Sequence, residues 1–312
     1  MRISTANIFD IGSAAITRNQ AELLTTQQRL ASGRRILSPA DDPIAASEAL
    51  RARQASALND QYSGNQKAAQ ATLQQVDSTL SELTSLLQDV RVLVVSAGNA
   101  TLQNSDRQSM AQELSGRLEQ LVSLANSNNG TGSYLFGGYS DTTPPFTRSG
   151  FTVTYNGDQG ARKLQVTDSR AVAVSDNGAE VFERIPSGNG TSQSVFATIE
   201  GLIEALEVPV ASGTERAALE NELAGGMANI DNALDHVLSI RTGVGARMRE
   251  LDGLQDEASN RAIELKQVLS QLEDVDYAQA ASKLSQQQLV LQAAQQSFLR
   301  VSSLSLFNYL NG

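Results

Sequence analysis

LQQVDSTLSELTSLLQDVRVLVVSA, residues 73–97, decides the fold. Leu73, Val76, Leu80, Leu83, Leu87, Val90, Val94 and Ala97 alternate gaps of three and four, which is a heptad seam on one face of a helix. Arg91 interrupts the most apolar part, Val90–Val95, and that run is far shorter than the ~20 residues that cross a bilayer. A long helix with one greasy seam needs other helices against it.

Upstream, Ser38-Pro39-Ala40-Asp41-Asp42-Pro43 reads as a stop followed by a start. Asp42 can accept hydrogen bonds from the first free amides of a helix, and Pro43 suits the first helical position, so the helix begins near Ile44. Downstream, a second helix is predicted from about Ser105 to Asn126, with Met110, Leu114, Leu118 and Leu121 on one face, ended by Gly130-Thr131-Gly132. The pattern then changes to short β-type runs at 151–155, 163–166 and 171–174, closed by Pro186-Ser187-Gly188-Asn189-Gly190. Asn156-Gly157 and Asn177-Gly178 are read as hairpin turns.

Helix resumes with Val195, Phe196, Ile199, Leu202, Ile203 and Leu206, stopped by Pro209. Thr214 is the expected cap of a long helix carrying Leu219, Leu223, Met227, Ile230, Leu234, Val237, Val244, Met248 and Leu251, with Arg241 the polar break in its seam. The pattern continues through Leu265, Leu269 and Leu272 to an acidic joint at 273–276, and a last helix starts near Tyr277. Gly225-Gly226 marks a close backbone approach or a kink. No proline falls inside these helices, where each would cost about 3 kcal/mol.

Helices, strands and helices in that order imply a mainly α fold: an elongated antiparallel helical bundle formed by N- and C-terminal arms, with a small inserted β-rich domain. The expected divisions are a terminal helical layer (1–43 plus 276–312), a central bundle (44–130 plus 191–275) and the insertion (131–190). The two ends are unusual. Phe9, Ile16, Leu23 and Leu30 recur every seven residues, as do Leu284, Leu291 and Phe298, with Val301 three positions further on. Asp10 is the only charge from Ile3 to Thr17, and Arg300 the only one from Leu284 to Gly312. Helices so poor in charge are normally covered on most sides. These eight apolar residues are therefore assigned to an assembly interface, with Asp41, Asp42 and Pro43 as the helix-start loop.

Composition agrees with a building block. Aromatics are 4% of 312 residues with no Trp, which suits thin bundles of Leu, Val and Ala. A net charge of −10 argues against nucleic acid and anionic membrane surfaces as partners. The absence of cysteine excludes disulfides and thiolate metal sites and suits export of an unfolded chain. Arg2 is followed by no uninterrupted apolar core and no cleavage site, so the N-terminus is not read as a secretory signal.

Leu30-Ala31-Ser32-Gly33-Arg34-Arg35-Ile36-Leu37 and the following Ser38–Pro43 resemble the signature of the family of bacterial flagellins and flagellar hook-associated proteins. Met1–Thr5, Leu304–Leu310, Leu135-Phe136-Gly137-Gly138 and Gly245-Ala246-Arg247-Met248 look like its hook–filament junction branch, the third hook-associated proteins. The resemblance covers both helical arms and is weak across the β region. It implies a structural part of the extracellular flagellum, exported through the type III apparatus without a cleaved signal peptide. The implied partners are copies of itself in a ring-like helical layer, a neighbouring hook-associated protein, flagellin, and an export chaperone at the C-terminal region. A filament-forming flagellin, or a surface binding module with the β region as its head, are the alternatives.

Chemistry has little support. The adjacent carboxylates Asp41 and Asp42 are read as a helix start, compatible with a subunit contact, rather than an acid/base pair. His236 is the only histidine and has no Cys beside it, so it is assigned to an ordinary helix surface. Gly243-Val244-Gly245 has helix on both sides, without the strand and third glycine of a dinucleotide loop, and is read as a close helix contact. The glutamines of the tail are expected to hydrogen-bond across a packed interface. No enzyme activity, cofactor or metal is expected.

Overall fold

A computed structural model describes residues 5–130, 132–150, 152–187 and 191–310; the side chains of residues 5, 6, 8 and 301–310 are outside that description. Met1–Ser4, Thr131, Phe151 and 188–190, and the side chains of Val301 and Leu304–Leu310, all named above, therefore lie outside it. The helices are α1 (Thr5–Ser32), α2 (Pro43–Ala97), α3 (Asn104–Ala125), α4 (Val195–Glu207), α5 (Gly213–Glu273) and α6 (Tyr277–Leu310). Six short strands, β1 (Phe146–Ser149), β2 (Thr152–Tyr155), β3 (Lys163–Gln165), β4 (Ala171–Ala173), β5 (Ile185–Pro186) and β6 (Ser192–Gln193), lie between α3 and α4. The fold is thus mainly α, with an insertion of short antiparallel strands.

The chain divides into two compact units, 1–59 with 260–312 and 60–259. In the second, the predicted seam is the core: Leu73, Val76, Leu80, Leu87, Val90 and Val94 are fully buried, as are Leu114, Leu118 and Leu121 of α3 and Ile230 and Val244 of α5. Arg241, the polar break, reaches Asp77 on α2, Nε to Oδ1 at 3.0 Å and Nη2 to Oδ2 at 3.4 Å. α3 packs on α4. Gly226 lets α4 approach: a Cβ there would lie 2.4 Å from Leu202 Cδ2, whereas Gly225 faces open space. α5 runs unbroken through both, so close approach, at Gly226 alone, is the reason for the pair.

The insertion is three two-stranded antiparallel sheets: β1 with β2, β3 with β4, β5 with β6. Phe136, Phe146, Phe182 and Phe196 are buried together, with ring centroids 5.1–5.6 Å apart among the contacting pairs. Few aromatics suffice because these four are gathered in one place. Gly138, at φ +72°, turns the chain after Phe136, and the Asp158 carboxylate ties that turn by accepting from the backbone N–H of Tyr139, Ser140 and Gly160. Arg247 holds the β3–β4 sheet against α5, donating to Ala173 O at 3.0 Å and to both Asp176 oxygens at 2.9 and 2.7 Å.

Four local readings need correction. Asn156-Gly157 turns no hairpin: β2 and β3 belong to different sheets, and the Asn156 N–H instead closes the open end of β1–β2 by donating to Pro145 O at 2.7 Å. Asn177-Gly178 opens a π-helical turn, Ala179–Glu183, with Asn177 Oδ1 accepting from Ala179 N at 2.8 Å. Thr214 is not the cap of α5. Ser212 is: its Oγ accepts from Glu215 N at 3.3 Å while Glu215 Oε2 accepts from Ser212 N at 2.8 Å, a reciprocal capping box. Gly243 and Gly245 have no neighbour within 4 Å of where a Cβ would stand, so they mediate no close helix contact.

Candidate assembly surface

The first unit is built from α1, the start of α2, the end of α5, and α6. Its inward apolar positions are small. Ala45, Ala49 and Ala52 of α2, at helical spacing, are its buried apolar side chains among the described residues, joined by Thr26 and Asn59. Alanine removes little area from water, so this packing contributes far less than a leucine seam.

α1 packs on α6. Phe9 and Phe298 meet edge to face with centroids 5.3 Å apart, and Gly12 makes room for that ring, since a Cβ there would sit 2.7 Å from Phe298 Cδ2. Phe9, Ile16, Leu23 and Leu30, and Leu284, Leu291 and Phe298, are all half-buried. The remaining faces of the two helices carry apolar side chains with no cover: Ile11 is 63% exposed, Leu24 57%, Leu289 67% and Leu299 67%. Sequence reasoning did not single these out, because they sit off the seven-residue repeat. The signal available was the lack of charge on any face.

The helix-start loop sits at the joint between α5 and α6. Arg34 and Asp274 form an antiparallel bridge. The Arg35 N–H donates to Glu273 O at 2.6 Å and the Val275 N–H to Gly33 O at 2.9 Å. Arg35 Nη2 donates to Leu272 O at 2.8 Å, and Arg53 pairs with the Glu273 carboxylate at 2.7 Å. Gly33, at φ +71°, makes the turn out of α1 that brings Arg34 alongside Asp274. Within the loop, Asp41 Oδ2 accepts from Leu37 N at 2.9 Å and Ser38 N at 3.2 Å. Asp42 Oδ1 accepts from Ala45 N at 3.1 Å, and Pro43 is the first residue of α2.

Those amides set the charge state. The Leu37 and Ser38 N–H groups, with Arg29 nearby, hold the Asp41 carboxyl below its usual range. The Ala45 N–H and the Arg35 guanidinium do the same for Asp42. Both are depressed, so this pair lacks the raised carboxyl that general acid work at neutral pH requires. His236 is on α5, its Nε2 2.8 Å from Glu180 O. Among the described residues, no group of three or more His, Cys, Asp or Glu could hold a metal ion, and no helix is long and apolar enough to cross a membrane.

Both helical arms of the chain match known proteins. Residues 3–141 match the bacterial flagellin N-terminal helical region and 227–310 the bacterial flagellin C-terminal helical region. Flagellar hook-associated protein 3 of Escherichia coli K12 is 34% identical over 98% of this chain and 99% of its own. A flagellin of Listeria monocytogenes is 26% identical over 94% of this chain and 93% of its own. The crystal structure of the flagellar junction protein FlgL from Legionella pneumophila superposes with a TM-score of 0.64, at 23% identity, over 73% of this chain and all of that one, which shows the shared fold. The chain belongs to the flagellar hook-associated protein 3 family, whose terminal helical regions are those of the flagellins.

Proposed function

We propose that this chain is a structural subunit joining the flagellar hook to the filament, assembled through its terminal helices. The observation that carries the reading is the incomplete cover of α1 and α6. Their seams half-bury one another, while Ile11, Leu24, Leu289 and Leu299 stand in solvent. Apolar surface of this kind on a secreted chain is closed by neighbours stacked alongside, and repeated contacts that do not close on themselves build a helical layer. In this reading 1–43 with 276–312 form the assembly layer, 44–130 with 191–275 the bundle that spaces it, and 131–190 an insertion. The assembly contacts run through Phe9, Ile16, Leu23, Leu30, Leu284, Leu291, Phe298 and Val301.

The partners are copies of this chain, a neighbouring hook-associated protein on one side and flagellin on the other. The subunit works outside the cell, travels without a cleaved signal peptide, and meets an export chaperone through its C-terminal region beforehand. It carries no catalysis. The test is complementation of a strain lacking the protein with a chain ending at Leu284. Electron microscopy is expected to show hooks without filaments, while the second unit of the purified truncation melts as in the full chain. Normal filaments on the truncated subunit would overturn the assignment of the tail.

A further inference from the structure

An open cleft of about 290 Å³ lies in the second unit, lined by Thr72 of α2 and by Asn129, Tyr139, Arg162, Lys163 and Leu164. Tyr139 is 67% exposed at its rim, yet it is not a loose side chain. Its backbone N–H is held by both oxygens of Asp158, at 3.0 and 2.9 Å, and its ring lies over Gly160, where a Cβ would be 2.1 Å from Tyr139 Cδ2. The ring thus rests against the Gly160 backbone while most of its surface faces solvent.

Beside it stand two cations of different status. Arg162 is neutralised by Asp141, but its Nε is buried with no hydrogen-bond acceptor. Lys163, on β3, is exposed and makes no ion pair among the described residues, in a chain whose net charge is −10. A flat ring offers a stacking surface to the C–H face of a pyranose, an ammonium selects a carboxylate, and the Thr72 hydroxyl, which donates to Ala68 O, keeps acceptor capacity for a sugar hydroxyl. The volume lies at the small end of ligand sites, which suits one or two sugar rings.

We infer that this cleft binds a carboxylated saccharide, with Tyr139 as the stacking platform and Lys163 as the carboxylate partner. The test titrates tetragalacturonic acid, neutral galactotetraose and tetraglutamate into the isotopically labelled full chain, followed by NMR. Tetragalacturonic acid is expected to shift the Tyr139 and Lys163 signals saturably, with the neutral sugar weaker and the peptide inert. Tyr139→Ala is expected to weaken binding about tenfold or more, and Lys163→Gln to bring the acidic sugar down to the neutral one. Both side chains are exposed, so unchanged melting of each variant separates lost binding from lost folding. Absence of saturable shifts in the cleft, equal binding of tetraglutamate, or full binding by Tyr139→Ala would overturn the inference.

Discussion

The two units of the chain bury different things. The second holds Leu73, Leu80, Leu118, Phe136 and Phe182 away from water entirely. In the first, the buried apolar side chains among the described residues are Ala45, Ala49 and Ala52, and the large residues of α1 and α6 are half-covered or exposed. One unit is a finished core. In the proposed reading the other is an interface that neighbours complete, and its ordering is expected to rise with their number.

The sharpest way to break that contrast is to truncate equivalent side chains. In the isolated protein, Leu118→Ala or Phe182→Ala is expected to destabilise the second unit by about 4 kcal/mol, the usual cost of a cavity in a closed core. Leu23→Ala in the first unit is expected to cost about 1 kcal/mol in monomer, since half its surface is already wet. Denaturant melts read through probes in each unit check both. Equal losses would mean that the first unit has a core of its own.

Glycines give a smaller effect and sharpen the contact map within the second unit. Gly226→Leu drives into Leu202 and is expected to cost about 2 kcal/mol. Gly225→Ala, Gly243→Ala and Gly245→Ala add a methyl into open space on a helix, and each is expected to stabilise by about 1 kcal/mol in thermal melts.

These positions also mark where the sequence is readable and where it is not. Helix seams were legible because a three-four repeat survives over many turns, as from Leu73 to Ala97. The proline and aspartates at 41–43 fixed a helix start to within a residue. The Ser212–Glu215 capping box is written in the sequence beginning two residues before Thr214, the expected cap. The π-turn at Ala179–Glu183 and the strand Phe146–Ser149 left no repeat to read, being one turn and four residues long. Asn-Gly pairs speak for local turn chemistry alone, whereas β1 and β2 pair with Phe146 opposite Tyr155, their ring centroids 5.0 Å apart. The apolar surface of α1 and α6 proposed for assembly is half-legible: the heptad positions stand out, but the exposure of Ile11, Leu24, Leu289 and Leu299 is visible only once α1 is seen to pack on α6.

Acid separates the units most gently. Asp41 and Asp42 have folded values below the ordinary 3.8, so their contribution is present above that pH and is lost as pH falls through the lower folded values. Burial raises Glu183 and Glu200 above 4.5 in the second unit. Their contribution has the opposite sign, present below 4.5 and lost as pH rises through the folded values. Asp158 and Glu215 there are lowered and oppose them. On acidification Glu183 and Glu200 take up protons first, the Leu37 and Ser38 amide signals are expected to move only later, below pH 3.8, and Asp41→Asn is expected to remove that later transition. Persistence of the transition in Asp41→Asn would assign it to another group.

Amide hydrogen exchange on the dilute monomer, compared with the protein incorporated into flagella, tests the central claim most directly. The account predicts rapid exchange across α1 and α6 in the monomer, slow exchange across α3 and residues 73–94 of α2, and strong protection of α1 and α6 on incorporation. Protection of α1 and α6 in the dilute monomer equal to that of α3 would contradict it.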